Sequence, residues 1–304
     1  MSAPGHFRIA FFSDPHLGPL PDIKWRALAN KRITGYLNWR LSRRSHHDMK
    51  ALDLIIADIL AIAPDHIVCG GDLANLGLPA EFVTARRLLE RLGDPSRVSL
   101  VPGNHSAYVA GSVAPMLETL APWMTGDSET KPAFPYVRRR GPVALIGLNS
   151  AAPTRPFDAT GKLGDAQIEA TFLLLTALRS QALCRIIVVH HPPHLGGAPR
   201  DRRLRDAADF EAMLARAGAE LVLHGHNHVT SVAHRLAANR MCPVIGVGSA
   251  SERNLSRGRW PVWLSIDVSR VHDSFEIDII ERGLNEKGAI VASPLARVNA
   301  PHRV

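Results

Sequence analysis

Residues 7–16 read Phe-Arg-Ile-Ala-Phe-Phe-Ser-Asp-Pro-His, an apolar run of strand length that stops at a carboxylate, a proline and an imidazole. Runs of the same kind stand at 66–69, 98–101, 143–148, 185–189 and 220–223. Short, continuous apolar runs bounded by polar residues read as buried strands. Between several of them the spacing is helical: Leu52, Ile55, Ile56, Ile59 and Leu60 recur within 49–62, and similar patterns cover 79–92 and 166–178. Strand and helix alternate, which predicts an α/β fold built around a sheet. After His228 the long helical patterns stop, and 230–236, 244–247, 262–268 and 274–280 read as strands. The expectation is a strand-rich second half packed on the first with no linker between them, one domain over 1–304.

The polar residues that close these runs form five groups: Asp14-Pro15-His16, Gly71-Asp72, Gly103-Asn104-His105, His190-His191-Pro192 and Gly225-His226-Asn227-His228. In an α/β sheet ligands bind beyond the carboxyl ends of the strands, so all five are expected at one pocket. Carboxylate and amide oxygens with imidazole nitrogens and no thiolate suit Mn, Fe or Zn better than Ca or Cu(I). The candidate ligands outnumber what a single tetrahedral site takes, which points to two ions. His190 and His191 compete for one ligand position. His190 directly continues its strand and is the choice, leaving His191 as a substrate contact or a support to the ligands.

In this order the motifs Asp-x-His, Gly-Asp, Gly-Asn-His, His and Gly-His-x-His resemble the signature of the calcineurin-like metallophosphoesterases, over a frame from Asp14 to His228. The resemblance implies a four-layer αββα sandwich, two mixed β-sheets face to face with helices outside, in which the helix-poor second half supplies the second sheet. It implies that Asp14, His16 and His228 hold a first metal, that Asn104, His190 and His226 hold a second, and that Asp72 bridges them. Two divalent or mixed-valence ions (Mn, Fe or Zn) would share a hydroxide that attacks phosphorus in line, and His105 would protonate the leaving group. One position departs from the family, which usually follows Gly-Asn-His with Asp or Glu where this chain has Ser106. A hydroxyl can hydrogen-bond an imidazole but does not stabilise imidazolium by charge. The expectation is therefore either a weaker general acid or a substrate whose leaving group needs less help, such as a nucleoside phosphate or an activated diester.

An insertion at about 19–44 interrupts the alternation and carries seven basic residues, Lys24, Arg26, Lys31, Arg32, Arg40, Arg43 and Arg44, against the single acid Asp22. Trp25, Tyr36 and Trp39 interleave with them, the pattern of an amphipathic helix at a surface, and its place after His16 sets it over the metal motifs as a lid, a substrate clamp or a contact to anionic membrane. A second basic cluster, Arg200, Arg202, Arg203 and Arg205, follows the His190 strand, where guanidinium forks suit phosphate. With His191 and His194, Arg200, Arg202 and Arg203 are the candidate substrate contacts. Arg138, Arg139 and Arg140 read as surface charge, His46 and His47 as loop or surface residues, and the tail at about 297–304 as frayed.

With 46% hydrophobic and 21% charged residues in 304, fibrous and disordered classes are excluded. A formal charge of +8 favours phosphate-bearing partners. Cys69, Cys184 and Cys242 show no paired spacing, and the N-terminus lacks the apolar core of a signal peptide, so the expected location is cytoplasmic, with peripheral contact at the inner membrane surface through the insertion. The leading reading is a dinuclear phosphoesterase cutting a phosphodiester or phosphomonoester, resembling the cyclic-nucleotide type. The alternative is a membrane-associated hydrolase of a nucleotide-linked lipid precursor or phospholipid. A reading of another class, a basic nucleic-acid or membrane binding module with a structural metal site, is disfavoured: no expected ligand is missing and no nucleic-acid motif accompanies the charge.

Overall fold

The computed structural model describes residues 6–301. Its strands in chain order are β1 (His6–Phe12), β2 (His66–Cys69), β3 (Val98–Leu100), β4 (Tyr136–Arg140), β5 (Val143–Gly147), β6 (Cys184–Val188), β7 (Leu221–His224), β8 (Ser231–Ala237), β9 (Arg240–Gly246), β10 (Val262–Val271), β11 (Ser274–Leu284) and β12 (Ile290–Pro301). They form two six-stranded sheets, ordered β12-β11-β10-β1-β2-β3 and β4-β5-β6-β7-β9-β8. Both are mixed: β1, β2 and β3 run parallel while β10 joins β1 antiparallel, and β5, β6, β7 and β9 run parallel between antiparallel edges.

The alternation along β5, β6 and β7 explains why these strands are apolar throughout. Val143, Leu145, Ile186, Val188, Leu221 and Leu223 belong to the core shared with the first sheet. Their neighbours Ala144, Ile146, Ile187 and Val222 belong to a second core with α6 (Asp165–Leu178) and α7 (Ala207–Ala217). A strand buried on both faces has no position left for a polar side chain until it ends. On the first sheet, α3 (Met49–Ala61) buries Leu52, Ile55, Ile56 and Ile59, and its N-terminus is capped by Asp48, which accepts from the Lys50 and Ala51 N–H groups at 2.9 and 3.2 Å. Trp263 and Arg282 both donate to Asp58, tying that helix to β10 and β11. The remaining helices are the short α1 (Arg32–Asn38) and α2 (Arg44–His46), then α4 (Pro79–Leu92) and α5 (Ala110–Leu120). Among the described residues no helix is long and apolar enough to cross a membrane.

Three expectations are corrected. The late strands do not make one sheet: β8 and β9 complete the second, whereas β10, β11 and β12 return to the first and cover the open edge of β1. The fully buried Ile9, Ala10, Phe11 and Phe12 require β1 to be central, and only strands from the end of the chain reach its free side. The tail is not frayed through 301, because β12 pairs with β11 as far as Pro301; residues 302–304 lie outside the described ones. Pro294 obscures this strand, and it is tolerated on an edge strand beside the register shift at Ile279/Ile280. Arg138 is no surface charge either; it is buried and donates to the carbonyls of Thr125, Pro95, Val98 and Pro122.

Phe11 sits at the middle of this packing with no exposed surface. Phe11→Ala is expected to cost about 3–5 kcal/mol of stability, read from the shift in urea unfolding midpoint at fixed metal content; a loss under about 1 kcal/mol would mean that this core is not close-packed.

Candidate metal centre

Beyond the carboxyl ends of β1, β2, β3, β6 and β7 stand Asp14 and His16, Asp72, Asn104 and His105, His190, and His226 and His228. Five of these residues have left-handed backbones: Asp14 (φ 54°), His16 (39°), Asp72 (53°), His226 (71°) and His228 (55°). Such conformations cost roughly 1–3 kcal/mol each for non-glycine residues and persist only where the surroundings enforce them. Here the Asp14 N–H donates to Gly71 O (3.0 Å), His16 N–H to Asp72 O (3.0 Å) and Leu17 N–H to Leu73 O (2.9 Å), locking the first loop to the second. A side chain on Gly103 would run into the Asp72 carboxylate, and one on Gly225 into Ser13 and Asp14. The glycines of these motifs are there for close approach.

Each ring has one nitrogen engaged away from the centre. His16 Nδ1–H donates to Ala74 O (3.2 Å), His190 Nδ1–H to Gly70 O (2.7 Å), His226 Nε2–H to Arg202 O (2.9 Å) and His228 Nδ1–H to the Glu252 carboxylate (2.7 Å). These bonds fix the tautomers and leave the other four nitrogens as lone pairs facing inward. The lone pairs then meet other acceptors: His16 Nε2 lies 3.2 Å from His228 Nε2, and His228 Nε2 lies 3.3 Å from Asp14 Oδ1. On the other side His190 Nε2 lies 3.2 Å from His226 Nδ1, from Asn104 Oδ1 and from Asp72 Oδ2. Asp72 Oδ2 is also 3.9 Å from His16 Nε2, so this carboxylate faces both groups. Asp14 Oδ1 is buried and has no hydrogen-bond donor among the described residues. Asp14 Oδ1 likewise lies 4.0 Å from His190 Nε2 as well as close to His228, and acceptors gathered at such distances suit cations between them. The residues present fit a pair of metal ions.

Without a metal the two carboxylates favour a proton instead: burial opposes the charge on His190, but Asp72 and Asp14 outweigh it and raise its pKa to about 9. Burial dominates at His16 and His226, whose pKa values fall well below the ordinary imidazole range. For Glu252, burial is outweighed by the bond to His228, the charge of His228 and that of Arg259, and its pKa drops to about 2.

His105 lines the cleft over these groups, a space of about 290 Å³ that also meets Asn38, Ser42, Arg43, His47, Arg202 and Arg259. Its backbone N–H donates to Asp72 Oδ1 (2.9 Å), and its Nδ1–H donates to Asn75 O (2.6 Å). The orienting partner is thus the Asn75 carbonyl, while Ser106 is buried with its backbone N–H on Gly103 O. Burial and then the charge of Arg43 push the His105 pKa down to about 3.

Of the candidate substrate contacts, Arg202 lines the cleft. His191, His194, Arg200 and Arg203 do not. His191 stands behind the centre: its ring packs 5.1 Å from that of His190 and 4.4 Å from that of His226, and its nitrogens are engaged by Ser150 (2.7 Å) and Ala159 O (3.2 Å). His194 is held by Arg235 (2.9 Å), and Arg200 and Arg203 are exposed on their loop. The insertion roofs the cleft with polar residues, and His47 corrects its expected surface placement: its ring packs 4.7 Å from that of His16 and its Nδ1 meets Ser251 (2.7 Å). Arg43, His47, Asn75 and Glu252 were missed as site residues. Arg43 was hidden among six other basic residues, and Glu252, in the polar stretch after β9, carries no spacing that marks it.

The model of the family described as calcineurin-like phosphoesterase matches residues 7–230. In fold the chain is similar to a dimetal phosphatase from Danio rerio, with 12% identity and a TM-score of 0.57 over 99% of this chain and 100% of that one. It is likewise similar to a purple acid phosphatase from seeds of yellow lupin (Lupinus luteus), with 12% identity and a TM-score of 0.59 over 98% of this chain and 55% of that one. No curated protein matches.

Glu252 touches no expected metal position and acts through His228. Glu252→Gln is expected to weaken metal binding about 10- to 100-fold, measured by chelator competition; unchanged affinity would show that the His228 ring is held without it.

Proposed function

The chain belongs to the calcineurin-like phosphoesterases, metal-dependent hydrolases of phosphoesters, and on that footing we propose that it cleaves phosphodiesters of hydrophilic, nucleotide-like substrates, cyclic nucleotides among them. The observation that supports a diester is the second groove beside the cleft. About 610 Å³ in volume, it shares His228, Arg257 and Arg259 with the cleft and continues along Trp260, Val262, Leu284 and Val291. A monoester occupies one side of the phosphorus; a groove beyond His228 gives a second ester arm a place. Trp260 is half-buried, with Arg253 5.4 Å from its ring, a surface suited to an aromatic base.

Two cations of the Mn, Fe or Zn type, held by Asp14, His16 and His228, by Asn104, His190 and His226, and by Asp72 between them, would polarise the phosphoryl oxygens and supply deprotonated water. The chain does the rest. Asp72 is fixed by the His105 N–H on one oxygen, so its other oxygen stays turned to both ligand sets. The Asn75 carbonyl holds His105 in the tautomer that leaves Nε2 as the nitrogen for proton exchange with the leaving group. After burial, the charge of Arg43 is what disfavours a proton on His105, and an anion beside Arg43 would offset that second cause.

A second reading, a substrate held in an anionic membrane, is favoured by the outer face of the insertion. Trp25 is 74% and Leu41 84% exposed, Ile33 and Leu37 lie open beside them, and Lys24, Arg26, Arg40 and Arg44 flank this apolar stripe. The inner face is polar, so any acyl chain stays outside the cleft.

The test compares bis-p-nitrophenyl phosphate with p-nitrophenyl phosphate for the metal-loaded protein and Asp72→Ala, followed by cyclic nucleotides against the corresponding monophosphates. Diesters are expected to lead in kcat/KM, and Asp72→Ala to lose at least about a hundredfold, the upper range for losing even an outer partner of a ligand. Faster turnover of monoesters would overturn the diester reading.

A further inference from the structure

We propose that Arg43, delivered by the insertion, binds the phosphoryl group of the substrate and holds the roof closed over it; the proposal rests on the reading of the centre as a phosphoester hydrolase. The seven basic residues of the insertion divide into three groups. Lys31 and Arg32 fasten it to the body, donating to Thr154, Asp158 O, Leu76 O, Gly77 O and Ser112. Lys24, Arg26, Arg40 and Arg44 are exposed on the outside. Arg43 alone turns inward, at the end of the π-helical turn Trp39–Arg43, which rotates its side chain toward the cleft beside Ser42 and Asn38.

Among the described residues Arg43 meets no hydrogen-bond acceptor. Nη1 lies 3.3 Å from His105 Nδ1 and 3.5 Å from His16 Nδ1, but both nitrogens already donate their protons to the carbonyls of Asn75 and Ala74. N–H faces N–H, and neither contact is a hydrogen bond. Among the described residues no carboxylate reaches Arg43 at ion-pair distance; Asp72, Asp14 and Glu252 act on it only through space. Arg43 is half-buried, whereas the buried arginines are fully engaged: Arg185 is forked onto Glu220, and Arg138 is surrounded by four carbonyls. A guanidinium left with free donors beside two cation sites is stable when an anion lies between them. A tetrahedral phosphoryl group supplies that charge and matches the fork.

The test uses the metal-loaded full chain with Arg43→Met and Arg43→Lys, and four readouts: binding of inorganic phosphate by calorimetry, kcat/KM on bis-p-nitrophenyl phosphate, metal content and thermal unfolding midpoint. Arg43→Met is expected to weaken phosphate binding and lower kcat/KM by about 10- to 100-fold each, the range of a hydrogen bond to a charged group, with metal content and unfolding midpoint unchanged. Guanidinium ion at millimolar concentration is expected to restore part of the rate, and Arg43→Lys to recover only part of the binding. Phosphate affinity within twofold of the parent, or a loss that follows the metal content, would overturn the proposal. If the parent protein hydrolyses neither aryl ester, the hydrolase reading fails, while phosphate calorimetry still decides the role of Arg43.

Discussion

Four imidazole lone pairs and the oxygens of Asp14, Asp72 and Asn104 face one another within 4 Å at the rim of two sheets. Acceptor against acceptor is repulsive, and burial strengthens the repulsion by lowering the local dielectric. The arrangement is held from behind, by the carbonyls of Ala74, Gly70 and Arg202 and by the Glu252 carboxylate, each engaging the far nitrogen of one ring. Left-handed backbones at five of the ligand positions and glycines that admit close approach follow from the same demand. Side chains from separate strands have to reach two points with their donors turned outward. The strain is the structural cost of convergence, and cations held there would make the converged state favourable.

Convergence in turn dictates the architecture. Only parallel strands deliver several carboxyl ends to one rim, and here both sheets contribute, β1, β2 and β3 from one and β6 and β7 from the other. Parallel strands need both faces covered, which the sandwich provides by placing the shared core between the sheets and helices outside. The chain's last strands close the structure by returning to β1, so the strand that carries Asp14 and His16 is protected on both edges.

The motifs were legible because each follows a run that must be apolar: a strand buried on both faces becomes polar only where it ends, and there the candidate ligands stand. The periodicity also marked α3, α4 and α6. What could not be read is whatever depends on register between distant strands. The sequence holds no statement that β10 pairs with β1, that Asn75 turns its carbonyl to His105, or that Glu252 meets His228 from 24 residues away. His191, read as a substrate contact or a support to the ligands, lies outside the cleft lining and packs its ring against those of His190 and His226. Arg138 and β12 misled because a basic run and a proline both imitate surface.

The insertion shows how one basic segment can serve opposite faces. Its charge cannot be a single field for attracting phosphate, because the cations separate by environment: two are bound to the body, four face solvent beside Trp25 and Leu41, and Arg43 enters the cleft. Gly35 lets the helix approach Tyr108 and Leu76 closely, where Tyr36 also packs, so the roof is anchored on its own small core and can keep its polar side over the centre. An apolar inner face would have shielded an acyl chain beside the metals. A polar one, with Asn38, Ser42 and Arg43 lining the cleft together with His105, instead turns polar groups to the centre and leaves apolar contact to the outer surface. The part of any ligand that lies under this roof meets polar and cationic side chains rather than apolar ones.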